Sequence, residues 1–226
     1  MKTVQYKLFT TALLGIFSIV YVLISSCNKT GGDYNYQNTE NVYDGSSYAY
    51  IASKTGIYDS LQKAINRIQW LKDSLSNPNS SFTLFAPTNS SFRLMISTLN
   101  IARNNAGKPS LYIEDLDIDN LDTLISKYIV HGKITTYTIQ FVDGLPLSTI
   151  LYGYPMHGQK SYSDAMGFQA GGPTNIIYSD TKQSQFIRDW IRVQTSVVNI
   201  ITTNGVVHTL VPEHELGFGE FVSRFI

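Results

Sequence analysis

Two short segments constrain the fold of this chain more than any other part of it. Ser81–Phe92 contains a mainly apolar run at residues 82–86 that predicts a buried strand, and Pro87 stops that strand. Either residue of Thr88-Asn89 can cap a helix that follows at once. In Thr203–Leu210, the pair Asn204-Gly205 predicts a β-hairpin turn with positive backbone φ angles. The first segment therefore predicts a strand that leads into a helix, and the second predicts a hairpin.

Three stretches between residues 55 and 132 carry apolar residues at the spacing of a helix, so each is predicted to pack one face on the core. The first is predicted as a single helix ending at Asn77-Pro78-Asn79, and the second follows Pro87. The third is predicted to be capped by Asp119-Asn120 and to end at Gly132. The apolar positions are Tyr58, Leu61, Ile65, Ile68, Leu71 and Leu75; Phe92, Met95, Ile96 and Leu99; and Leu121, Leu124, Ile125, Tyr128 and Ile129.

The second half of the chain is rich in β-forming residues. Strands are predicted at Leu145 to Leu151, Ile191 to Val193, Val197 to Ile201 and Val206 to Val211, where Pro212 ends the last one. Residues 152 to 185 contain many turn-forming residues, which predicts an elaborated hairpin or loop insertion.

The two opening segments resemble the two sequence boxes of the fasciclin-type (FAS1) domain, an extracellular adhesion module, and the likeness extends over roughly residues 50 to 216. Residues 124 to 134 resemble the middle of that family, with Lys127-Tyr128 at the place of a Tyr-His pair and His131 at the place of a proline. In animal relatives the region of that pair is implicated in receptor adhesion, so its replacement argues against that activity here. The resemblance implies an α+β fold: a wedge-shaped β-sandwich of mainly antiparallel strands with helices packed on one side.

The N-terminus predicts export and lipid attachment. Lys2 and Lys7 precede an uncharged apolar run from Leu8 to Ile24, which is the layout of a secretory signal. Leu23-Ile24-Ser25-Ser26-Cys27 resembles a bacterial lipobox, which implies that Cys27 is the lipid attachment site. Cys27 is also the only cysteine, so no internal disulfide is expected. The alternative is a transmembrane anchor, because about 20 apolar residues can span a bilayer.

These features predict three parts: a signal peptide at residues 1–26, a flexible tether at 27–50, and a fasciclin-like domain at 51–226 with an insertion at about 152–185. The second half of the tether could instead pair along a sheet edge. The two signal lysines are the only charges before residue 27, which leaves 15 Lys and Arg against 17 Asp and Glu. Such a balance gives no basic surface for nucleic acid.

Tyrosine is abundant, with 15 residues. Its flat apolar face and its hydroxyl suit contacts with sugars or proteins, although many tyrosines simply favour strands. Because recognition often lies on loops of a rigid scaffold, a ligand-binding surface is predicted at residues 152 to 185, the alternative being an elaboration that covers the core. The candidate ligand-binding residues are Tyr152, Tyr154, Tyr162, Phe168 and Tyr178.

The sequence contains no strong motif for metal binding or catalysis. His208 and His214, with Glu213 and Glu215, lack a recognised ligand spacing, so no metal site is predicted. The acidic run from Glu114 to Asp122 lacks the glycine and terminal glutamate of an EF-hand loop, and a capped helix start explains it better. The sequence has no Gly-x-Ser-x-Gly elbow and no phosphate-binding glycine loop with lysine. Neither a catalytic residue nor a cofactor is therefore predicted.

Two functional classes fit these observations. The first is a lipid-anchored protein of the bacterial cell envelope, expected at the outer membrane and possible at the cell surface, that contacts glycans, matrix or surface proteins through its loops. The second is an accessory subunit of a glycan-uptake system, or an envelope hydrolase with an unrecognised site. Exposed aromatic residues favour binding, whereas paired carboxylates in a cleft favour an enzyme.

Overall fold

The structure, a computed structural model, describes residues 41–165 and 169–226. The predictions for the signal segment, Cys27 and Phe168 lie outside the described residues. Within them, eight strands form one sheet. The strands are β1 Asn41–Val42, β2 Phe82–Ala86, β3 Ile129–His131, β4 Leu145–Ser148, β5 Pro155–Tyr162, β6 Thr174–Asp180, β7 Ile191–Thr202 and β8 Gly205–Leu210. The helices are α1 Ser47–Ser53, α2 Asp59–Arg67, α3 Gln69–Ser76, α4 Asn89–Asn105, α5 Ile118–Ser126 and α6 Phe221–Phe225, with 3-10 turns at Ile113–Asp115 and Ile187–Asp189.

The strand order is β3-β2-β8-β7-β6-β5-β4. β2 runs parallel to β8 and β1 runs parallel to β7, while the other pairs are antiparallel. A bridge between Val130 and Thr149, and a 3.0 Å bond from the Ile150 N–H to the Ile129 carbonyl, link the two edges. The sheet therefore nearly closes on itself, which leaves few free backbone groups at its edges. The predicted α+β class with a mainly antiparallel sheet is confirmed.

The predicted strand–proline–helix unit is confirmed, but its capping is different. Thr88 occupies the cap position of α4, yet its buried hydroxyl makes no hydrogen bond within the described residues. The Asn89 side chain instead accepts a 2.8 Å bond from the Ser60 N–H and donates to Asp59. It therefore stabilises the first turn of α2, where N–H groups have no partner within the helix.

Two of the predicted helices have other limits. The first stretch is two helices, because the chain leaves the helical conformation at Ile68, while the predicted apolar stripe stays buried. The third is capped by Asp117 and not by Asp119-Asn120, and α5 ends at Ser126. Ile129 lies in β3, because pairing with β2 overrides the local helical pattern.

The predicted hairpin exists, but the explanation for it was wrong. Thr202 pairs with Gly205, so the turn residues are Thr203 and Asn204. Neither Asn204 nor Gly205 is among the residues with positive φ. Gly205 is needed for space, because a Cβ there would lie 2.6 Å from the Phe82 carbonyl oxygen.

Two predicted boundaries change. The segment assigned to a tether up to residue 50 contains β1, which pairs with β7, and the start of α1. The folded part therefore begins before residue 51, in agreement with the sheet-pairing alternative. The predicted insertion is a β5–β6 hairpin that joins the sheet through β6 and β7 and contributes Tyr178 to the core, so it is not a separable loop. The strand predicted to reach Leu151 ends at Ser148.

Candidate binding site

An open groove of about 680 Å³ lies where β4, β5 and the segment after β6 meet. Its residues come from β4, from the turn before β5, from β5 itself and from the segment that leads to β7. Among the described residues that line it, none is Asp, Glu, Lys or Arg. The lining residues are Pro146, Tyr152, Gly153, Tyr154, Pro155, Met156, His157, Thr181, Gln183, Ser184, Gln185 and Trp190.

Four aromatic side chains line this groove: Tyr152, Tyr154, His157 and Trp190. Tyr152 is 84% exposed and holds a positive φ of 61°, which turns the chain before Gly153. The Trp190 ring packs 4.7 Å from His157, and its indole N–H donates to the Ser184 carbonyl at 2.8 Å. Burial, together with the nearby charge of Arg192, lowers the pKa of His157. The groove therefore presents neutral rings with amide and hydroxyl groups between them.

The structure brings together only two of the five predicted ligand-binding residues. Tyr152 and Tyr154 line the groove. Tyr162 is 55% exposed at the far end of β5, about 25 Å along the strand from Tyr154. Tyr178 is fully buried, stacked on Phe85 with ring centroids 3.8 Å apart, so it cannot contact a ligand at the surface. Phe168 lies outside the described residues.

The sequence prediction missed Trp190, while His157 and the polar run at 183–185 lie within the predicted segment but were not among its candidate ligand-binding residues. Trp190 lies outside the segment that was expected to carry recognition, and only the pairing of β6 with β7 brings it beside β5. Tryptophan is a rare, large residue that is often found at binding surfaces. The presence of Trp190 near the end of that segment was the available signal.

A buried charge cluster lies behind the groove. Lys127 is 5% exposed, and its ammonium group forms ion pairs with Asp180 and Glu220. Lys182 contacts the same two carboxylates at 3.2 and 2.7 Å, and Arg224 contacts Glu220 at 2.8 Å. Burial by itself raises the pKa of Glu220, but hydrogen bonds from the three cations outweigh it and hold that pKa at about 2. Glu220 is therefore ionised at neutral pH.

Lys127-Tyr128 occupies the place of the Tyr-His pair in the family resemblance, and here both residues are buried beneath the C-terminal segment. The Tyr128 hydroxyl lies 2.6 Å from His214 Nε2 and accepts a 2.7 Å bond from the Gly217 N–H. Phe218 stacks on the Tyr128 ring at 5.2 Å. This part of the chain therefore binds the protein's own C-terminal segment.

His208 and His214 have separate structural roles. His208 accepts from the Asn199 N–H at 3.1 Å, and its other ring nitrogen lies 2.9 Å from the Ile134 carbonyl, so that nitrogen carries the proton. Burial lowers the pKa of His208 to about 4 and that of His214 to about 3. In the described part of the chain, no three His, Cys, Asp or Glu residues are grouped to hold a metal ion.

A second cavity of about 410 Å³ lies between α2, α4 and the first 3-10 turn. An exposed ion pair, Lys63 with Glu114 at 2.8 Å, lies at its margin. Its charged lining contrasts with that of the aromatic groove.

Of the helices in residues 41–165 and 169–226, none is both long and apolar enough to cross a membrane.

Comparison with known proteins identifies the class of this domain. The family model for the fasciclin domain matches residues 57–211, and the chain therefore belongs to the fasciclin domain family. Among solved structures, the chain is similar to a FAS1 domain pair from the insect cell adhesion molecule fasciclin I, with 13% sequence identity and a TM-score of 0.49. That match covers 74% of this chain and 49% of the other, so the chain spans about half the length of that structure. No curated protein matches the sequence.

Proposed function

We propose that this protein is a lipid-anchored, non-catalytic binding protein of the bacterial cell envelope, and that its aromatic groove binds a neutral glycan. The observation that carries the proposal is the groove lining: Tyr152, Tyr154 and Trp190 lie beside amide and hydroxyl side chains, without a charged residue among the described lining residues. Sugar rings pack their C–H faces on aromatic rings, and their hydroxyls bond to amides. The openness of the groove suits a chain that passes through it.

The proposal is tested with a panel of neutral hexasaccharides (cello-, laminari-, xylo-, manno- and chito-oligosaccharides), titrated into the purified protein by calorimetry. We expect at least one to bind, and we expect Tyr152→Asn to weaken that binding about tenfold, the size of one lost ring contact. Asparagine tolerates the positive φ at this position. Tyr162→Ala is the matched control, since Tyr162 is exposed but remote. Equal losses in the two variants would contradict the assignment of the groove.

A protein partner is the second candidate, and one observation favours it. Phe186 and Ile187, on the segment that supplies Gln185 and Trp190 to the groove, are 64% and 59% exposed. Neighbouring exposed apolar residues commonly mark protein interfaces. If no hexasaccharide binds but an envelope protein is captured in a manner that depends on Phe186, the partner is a protein and the glycan assignment is wrong.

The sequence alone supports the proposed envelope location. The lipobox-like segment ending at Cys27 supports lipid attachment at that cysteine. Several acyl chains attached there would hold the protein firmly on a membrane. We expect Cys27→Ala to abolish incorporation of labelled palmitate. Ser26→Ala keeps a small residue before the cysteine and should keep the label. Continued labelling of Cys27→Ala would refute the anchor.

A further inference from the structure

Tyr154 belongs both to the groove and to the charge cluster behind it. Its ring lines the groove, while its hydroxyl donates to Asp180 Oδ1 at 2.9 Å. The ammonium group of Lys127 lies 4.6 Å from the centroid of the same ring. A hydrogen bond at the hydroxyl and a cation over the ring fix the orientation of this side chain. The groove side of Tyr154 is therefore set by groups that do not themselves line the groove.

Asp180 is the centre of this arrangement. It is fully buried, and its Oδ1 accepts from the Tyr154 hydroxyl and from the Lys182 N–H at 2.8 Å. Its Oδ2 accepts from Lys127 at 2.9 Å and contacts the Lys182 ammonium. A buried carboxylate keeps its position only while its donors stay in place. The orientation of Tyr154 therefore depends on both lysines.

Glu220 is the second carboxylate that forms ion pairs with both lysines. It lies immediately before α6 in the C-terminal segment, and it contacts Lys127, Lys182 and Arg224. The cluster contains three cations and two carboxylates. Without Glu220, Lys127 and Lys182 would share Asp180 alone and Arg224 would lose its carboxylate partner. The mutual repulsion of these cations would displace the lysine side chains.

We propose that Asp180 and Glu220 are positioning residues for the groove, so that ligand affinity at Tyr154 depends on the docked C-terminal segment. The inference rests on the proposed function for its ligand and on the contacts above for its mechanism. It also gives a role to Lys127, which stands at the place of the family's Tyr-His pair. At this position the chain carries a buried cation that joins the groove to its own C-terminal segment.

The test uses the full chain and the variant Glu220→Gln, which removes one charge, keeps the side-chain shape and changes a residue that is only partly buried. Hydrogen exchange is measured without ligand on peptides that cover residues 152–157 and 213–225. We expect exchange to rise about tenfold in both regions, the size of one lost charge-assisted hydrogen bond. Glu114→Gln breaks the exposed ion pair with Lys63 and should change neither region. Faster exchange in 213–225 alone would overturn the proposal.

A thermodynamic cycle measures the coupling between Glu220 and Tyr154 by a second, independent method. Tyr154→Phe removes the bond to Asp180, and its effect on the unfolding midpoint should be non-additive with that of Glu220→Gln, whereas Tyr162→Phe should be additive with it. Additivity in both pairs would overturn the coupling. If a hexasaccharide binds the wild type, Glu220→Gln should weaken it several-fold. If none binds, the proposed ligand class fails, while the exchange data and the cycle still decide the coupling.

Discussion

Polar and aromatic side chains are buried at the centre of the sheet, whereas several of them are exposed at the groove. Every residue of β2 and β8 is buried, and the polar side chains there have partners within the protein: His208 bonds to Asn199 and Ile134, and Thr209 bonds to Tyr58. At the groove, Tyr152 and the polar residues near Gln183 face solvent. The residues that define the family therefore build the scaffold, and the residues open to a partner lie elsewhere.

This difference can be measured, because a satisfied buried group and an exposed one respond differently to substitution. Changes at the centre should lower the free energy of unfolding by several kcal/mol, since each leaves buried polar groups unpaired or creates a clash. Changes at the groove should leave folding intact and alter binding. Acid, single substitutions at the hairpin, and a groove substitution test this contrast in decreasing order of expected effect on stability.

Acid should produce the largest loss of stability. The unfolded chain protonates its histidines near pH 6.5, whereas His208 and His214 in the folded protein have pKa values of about 4 and about 3 because they are buried. Between pH 6.5 and 4 the unfolded state binds more protons, so stability falls as the pH falls, by about 3 kcal/mol for each histidine. The depressed pKa of Glu220 adds a further loss below pH 4.5.

Urea unfolding at a series of pH values measures this effect. His214→Gln keeps an acceptor for the Tyr128 hydroxyl but does not titrate, so its profile should be flatter by the contribution of one histidine. His131→Gln, at an exposed position in β3, should keep the wild-type slope. A wild-type profile that is flat between pH 7 and 4 would mean that the two buried histidines do not control acid stability.

Asn204→Ala should have the next largest effect. The Asn204 side chain is fully buried; its oxygen accepts from the Ser47 N–H at 2.9 Å, and its amide donates to the carbonyls of Leu75 and Asn77 at 2.8 and 2.9 Å. Alanine would leave these groups unpaired and lower the free energy of unfolding by about 3 kcal/mol. Chemical denaturation measures the loss.

The control for this substitution is Asn105→Ala, at an exposed position at the end of α4. It should change the free energy of unfolding by less than about 0.5 kcal/mol. Similar values for the two variants would show that the Asn204 side chain does not connect the hairpin to α1 and α3.

Gly205→Ala should cost about 2 kcal/mol, because a Cβ would lie 2.6 Å from the Phe82 carbonyl oxygen and the parallel β2–β8 pair would have to separate. Gly107→Ala provides the contrast: Gly107 has a φ of +69° and open space around it, so its cost is backbone strain of about 1 kcal/mol. If the Gly205 variant is no less stable than the Gly107 variant, the steric explanation fails.

These positions indicate how much could be predicted from the sequence. The strand that ends at Pro87, the helix after it and the location of the hairpin follow from local signals in adjacent residues. The reason for Gly205 does not, because Phe82 is distant in the chain and only strand pairing brings it close. Local pattern also cannot reveal that Ile68 breaks a helix whose apolar stripe continues unbroken.

The candidate site was less predictable for the same reason. Tyr152 and Tyr178 lie in one tyrosine-rich segment, and their sequence surroundings do not distinguish an 84% exposed residue from a fully buried one. The burial of Lys127 depends on Asp180 and Glu220, which lie 53 and 93 residues further along the chain. A buried lysine is stable only when such partners neutralise it, and spacing in the sequence does not reveal them.

Tyr152→Asn should have the smallest effect on stability, and it tests the contrast from the groove side. The ring of Tyr152 is exposed, and asparagine tolerates its φ of 61°, so the free energy of unfolding should change by less than about 0.5 kcal/mol. The same variant is expected to lose ligand affinity. Thermal unfolding of Tyr152→Asn beside Asn204→Ala gives the comparison directly. A large drop in the unfolding midpoint of Tyr152→Asn would place this ring in the scaffold and remove it from the binding surface.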